Sequence, residues 1–88
     1  MASRYPTKAQ LRFLRAFREL APMAGCWDRW SLGREIAIKL GHRTPSAAFR
    51  MLTLMEFVHE WIRSPRNGDV RWILTPQGER VLAEGENR

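Results

Sequence analysis

Residues 31–55 read SLGREIAIKLGHRTPSAAFRMLTLM and residues 57–74 read FVHEWIRSPRNGDVRWIL; how these two stretches fold decides the architecture. In the first, Ser31 caps a helix over 32–40, with Ile36 and Leu40 four apart on one face. Gly41 suits the left-handed residue that ends such a helix. His42 and Arg43 form a tight connection. Thr44-Pro45 starts a second helix running to about Met55, because threonine caps well and proline is preorganised for the first helical position. Phe49, Leu52 and Met55 step along one side. In the second stretch, residues 57–63 and 70–74 are strand-like and flank a turn cluster, Ser64 to Asp69. Asn67-Gly68 is the preferred centre of a two-residue hairpin turn. That turn predicts the pairs Arg66–Asp69, Arg63–Trp72 and Trp61–Leu74, with Trp61, Arg63, Trp72 and Leu74 on one face.

Upstream, residues 7–20 predict an amphipathic helix capped by Thr7, with Leu11, Leu14, Phe17 and Leu20 at three-residue steps and Phe13 beside them. Ala21-Pro22 is expected to end it. Residues 23–29 read as a loop and Trp30 as a very short strand. Downstream, Thr75-Pro76 repeats the cap-and-proline signal. It opens a last helix over 76–84, with Val81 and Leu82 inward and Gly85 as its stop. The whole of 1–88 reads as one domain with an ordered core of about 6–84. The fold class is mainly α with a small β-hairpin, in the order helix, short strand, helix, helix, strand, strand, helix.

From Ser31 to Leu82 the chain resembles the winged helix-turn-helix regulators, the MarR-like ones in particular. The matching pieces are Arg34-Glu35-Ile36-Ala37 and Leu40-Gly41, then Thr44 with Ser46 and Leu52. Phe57-Val58, the segment 66–71 and Leu74-Thr75-Pro76-Gln77-Gly78 follow. Glu56 stands where the family commonly has glycine. The resemblance implies a transcriptional regulator that binds double-stranded DNA, its third helix in the major groove and its hairpin, the wing, on the adjacent backbone or minor groove.

Charge agrees with a polyanionic partner. The formal net charge is +6 on 88 residues and the sequence pI is near 11.0, which points to DNA, RNA or an anionic surface. Candidate DNA contacts are His42, Arg43, Thr44, Ser46, Ala47 and Arg50 around the start of the third helix, and Arg66, Asn67 and Arg71 in the wing. Arg50 and Ser46 are expected at base edges, Arg43 and His42 at phosphate, and the tip residue Arg66 in a minor groove. An ordinary solvated face and a charged edge strand are the competing readings of the same residues. Arg63 reads instead as a cation–π partner of Trp72. The arginines of the first helix read first as a solvated stripe.

A homodimer is expected, because one recognition helix supplies little specificity. Leu11, Phe13, Leu14, Leu82 and Ala83 are the apolar residues available for its seam. An outer third-helix face with Ala47, Met51 and Leu54, together with an exposed tryptophan such as Trp27, would instead suit a protein partner. A protein-interaction module and a non-specific nucleic-acid-binding protein are therefore the alternative functions.

One cysteine, Cys26, allows no internal disulfide. With His42 and His59 it fits no zinc spacing, and it reads as a small filler before a redox sensor. No phosphate loop, nucleophile elbow or paired-carboxylate motif is present, so neither an enzyme nor a cofactor is expected. No apolar run approaches the length of a membrane span, and no signal-peptide pattern opens the chain; a cytoplasmic location is the expectation.

Overall fold

The computed structural model describes residues 6–24, 27–66 and 71–86. Among them the chain is mainly helical, with four α-helices and a two-stranded antiparallel sheet: α1 (Lys8–Ala24), α2 (Arg29–Leu40), α3 (Ser46–Thr53), β1 (Ile62–Arg63), β2 (Ile73–Leu74) and α4 (Pro76–Glu86). A π-helical turn, Leu54–Val58, follows α3 directly.

α1 begins as its sequence predicts. The Gln10 N–H donates to Thr7 Oγ1 at 3.2 Å, and the Thr7 N–H donates to Gln10 Oε1 at 2.9 Å. This reciprocal pair satisfies two helix-end donors at once. The end differs from expectation, because the helix passes through Pro22 to Ala24. Proline lacks one N–H, and here that loss falls in the last turn, where only two residues follow.

α2 starts earlier than expected. Asp28, not Ser31, is its cap: the Ser31 N–H donates to Asp28 Oδ1 at 2.7 Å. Trp30 therefore lies in the first turn of a helix and not in a strand. Backbone and hydroxyl hydrogen bonds from Ser31 hold the Asp28 carboxyl below the usual aspartate range. The far end agrees with expectation. Gly41 has φ 78°, the Gly41 N–H donates to Ile38 O, and the His42 N–H donates to Ala37 O. A side chain at that φ would meet its own backbone, which is why glycine serves there.

α3 begins at Ser46, with Pro45 rather than Thr44 in the capping position and no side-chain cap bond. Beyond Thr53 the backbone widens instead of extending. Phe57 and Val58, expected in a strand, belong to the π-helical turn, closed by the His59 N–H on Leu54 O at 2.8 Å. The wider turn carries both Met55 and Glu56 inward. Glu60, at φ 55°, then reverses the chain into β1.

The strands pair Ile62 with Leu74 and Arg63 with Ile73, one residue out of the expected register. Burial explains the shift. Ile62 is 1% exposed and Trp72 is 2% exposed. The expected register would have turned Ile62 away from the core, and a one-residue slip exchanges every side chain between faces. Arg63 consequently lies outward opposite Ile73, not over Trp72. The expected tip, Asn67-Gly68, lies outside the described residues.

Thr75 caps α4 by accepting from the Gly78 N–H at 3.0 Å and fastens it by donating to Glu60 O at 2.6 Å. Gly85 does not end this helix, which runs to Glu86. Its missing side chain leaves room for Leu11, whose methyl carbon would lie 2.7 Å from a Cβ there.

The core joins Phe13, Leu14, Ala16 and Phe17 of α1, Leu32, Ile36 and Ala37 of α2, Ala48 and Leu52 of α3, and Val81 and Leu82 of α4. Met55, Trp61, Ile62 and Trp72 complete it. Phe13, Leu14 and Leu82 are thus interior residues and cannot form a dimer seam; of the five expected there, only Ala83 is exposed.

Candidate nucleic-acid interface

The surface of α3 follows from its periodicity. Ala48 and Leu52 point inward, which turns Ser46, Ala47, Arg50 and Thr53 to solvent. Met51 and Leu54 are half-buried against the core, so the outer face is more polar than the sequence suggested. Gly41, His42, Arg43 and Thr44, which lead into the helix, are all exposed. Among the described residues no ion pair engages Arg43 or Arg50. Six candidate residues, His42, Arg43, Thr44, Ser46, Ala47 and Arg50, therefore share one accessible stretch.

α2 lies close beneath this stretch. A Cβ on Gly33 would stand 2.3 Å from two ring carbons of Phe49, so glycine permits the approach. Trp30 then stacks on Phe49, ring centroids 4.6 Å apart at 25°. Trp30 is 61% exposed; Trp27, expected to be the exposed tryptophan, is half-buried against the core. The ring of Trp72 donates through Nε1 to Trp27 O at 3.3 Å.

The hairpin divides its arginines. Arg63 and Arg71 are exposed and, among the described residues, unpaired. Arg66 is folded back: Nη2 donates to Glu56 Oε1 at 2.7 Å, Nε donates to Ser64 Oγ at 2.7 Å, and the guanidinium lies 4.4 Å from the Phe57 ring centroid. Arg29 donates to the other oxygen of Glu56 and lies 5.4 Å from the ring of Phe57 and 5.5 Å from that of Trp72. Asn67 lies outside the described residues. Sequence reasoning missed Arg29 and the inward turn of Glu56. The one signal was a charged residue where the resembled family has glycine.

The α1 stripe is a surface feature. Arg15 and Arg18 pair with Glu86 at 3.7 and 3.3 Å, and Lys39 pairs with Glu19 at 3.2 Å; exposed pairs of this kind contribute little to stability. Among the described residues no three His, Cys, Asp or Glu side chains gather as a metal site. His42 is exposed, His59 stacks on Trp61 at 4.2 Å, and Cys26 lies outside the described residues. No described helix is long and apolar enough to cross a membrane.

Comparison of the chain with protein-family models, curated proteins and solved structures gave no match.

Proposed function

We propose that this chain is a winged helix-turn-helix domain that binds double-stranded DNA and regulates transcription, without catalytic activity. α2, the Gly41–Pro45 connection and α3 form the helix-turn-helix, and β1 with β2 forms the root of the wing. α3 enters the major groove. Arg50 and Ser46 face base edges, while Arg43 and His42 meet phosphate. Arg63 and Arg71 extend the contact along the backbone. The observation that carries this reading is the exposed set Arg43, Ser46 and Arg50 around the start of α3, its arginines unpaired among the described residues, on a chain of net charge +6. Two copies on a pseudo-palindromic site would supply the specificity that one helix lacks. With Phe13, Leu14 and Leu82 inside the core, such a pairing would use other, exposed residues.

Selection of bound duplexes from a random pool tests the proposal. Enrichment of a discrete motif is the expected result. Recovery of unenriched sequence would reduce the reading to non-specific binding. The exposed ring of Trp30, stacked on the half-buried Phe49, favours a second reading, a protein-interaction module. Failure to retain any duplex at low salt would promote it.

A further inference from the structure

The most buried charge in the described chain belongs to none of the contacts proposed above. The Glu56 side chain is 4% exposed. Its two oxygens are divided between Arg29, the first residue of α2, and Arg66, on the arm leaving β1. A carboxylate taken out of water needs such partners. Arg66 is further fixed by Ser64 Oγ and by the Phe57 ring. The wing arm is thus fastened to the body through one acidic group. Glu56 carries one negative charge for two guanidiniums, so the cluster stays net positive. What the hold fixes is position, because Arg66 spends Nη2 on Glu56 and Nε on Ser64 and is not extended toward a phosphate.

We propose that Glu56 is a positioning residue for the wing: it holds the Arg66 donors against the body and keeps them from nucleic acid, leaving the contact to the arginines that are unpaired among the described residues. This rests on the DNA-binding reading for its consequence but not for its geometry. A wing arginine of ordinary function would neutralise a phosphate and steepen the salt dependence of binding. Arg66, held by Glu56, should not.

The test measures the slope of log affinity against log salt on one duplex. Arg66→Gln in the otherwise unchanged chain is expected to leave the slope as it was; glutamine can still donate to Glu56, and Arg29 still balances it. In a Glu56→Gln background, where Arg66 is released, the same Arg66→Gln change should make the slope shallower by about 0.9, the value of one phosphate contact. A slope shallower by that amount in the first case would overturn the proposal, and so would no change in the second. Exchange of the Arg66 guanidinium protons, those on Nη2 that face Glu56 compared with the Nε–H that faces Ser64, followed by NMR without DNA, separates the geometry from the DNA reading. Slow exchange at Nη2 in the unaltered chain that becomes fast in Glu56→Gln supports the hold on Arg66 even if no duplex binds. Fast exchange at Nη2 in the unaltered chain refutes it even if duplexes bind well. Should Glu56→Gln fail to fold, the Arg66→Gln slope and the exchange rate in the unaltered chain still decide the matter.

Discussion

Gly78→Ala is expected to destabilise the fold by about 2–3 kcal/mol, although alanine is the better helix former by about 1 kcal/mol. A Cβ at position 78 would stand 2.0 Å from the carbonyl oxygen of Trp61 and 2.9 Å from its carbonyl carbon, where ordinary contact begins at 3.4 Å. Neither atom is the far end of a flexible side chain. The same Trp61 oxygen accepts from the Thr75 N–H at 3.0 Å, so moving α4 away from β1 strains a bond worth about 0.5–1.5 kcal/mol. Overpacking of this kind costs roughly 1–3 kcal/mol. The two losses together exceed the helical gain. Urea unfolding followed by tryptophan fluorescence reads the change as a fall in midpoint at constant slope. Gly33→Ala should cost less, because its obstacle is the half-buried Phe49 ring, and Gly85→Ala least, because Leu11 methyls can turn aside. A Gly78→Ala protein as stable as the original would refute the close approach of α4 to Trp61.

Two further outcomes follow from the charged groups. Arg29→Met leaves Glu56 with Arg66 alone and should cost about 2–3 kcal/mol, less than the roughly 3–5 kcal/mol of a buried pair broken outright; a loss under about 0.5 kcal/mol in the same urea assay would make the pair a mere surface contact. Asp28 has a carboxyl pKa lowered in the folded chain by Ser31, so its stabilisation is present above the ordinary aspartate pKa and is lost as pH falls through the lowered value; Asp28→Asn should therefore remove part of the decline in thermal midpoint between roughly pH 6 and roughly pH 3, and an unchanged decline would contradict the cap.

What could be read from the sequence was local. Thr7, Gly41 and Thr75 announce helix ends through chemistry confined to three or four residues, and each sits as expected. The apolar spacing of α1 and α3 placed Phe13, Leu14, Phe17 and Leu52, though not that Phe13 and Leu14 are wholly interior. Features set by tertiary packing were misread. Phe57 and Val58 have strand-like side chains, yet the backbone keeps winding, and the wide turn brings Glu56 to its two arginines. The strand register was inferred from a turn signal, whereas burial of Ile62 and Trp72 selects a neighbouring register. Trp30 gave no helical signal because Asp28 was not recognised as the cap. At the candidate site, the exposure of Ser46 and Arg50 was legible from helical period, and that of Arg43 from its place in the tight connection before the helix. The capture of Arg66 was not, because its partner Glu56 lies ten residues away across a turn that sequence periodicity does not describe.

The central claim is that α3 reads bases. The measurement that tests it most directly is the affinity of the unaltered chain and of Arg50→Ala for a selected duplex and for random duplexes at one salt concentration, with folding checked by circular dichroism. A base contact contributes only where its base is present, so the substitution should cost about 1–3 kcal/mol on the selected duplex and far less on random ones. Equal affinities of the two proteins for the selected duplex, with the fold intact, would contradict it.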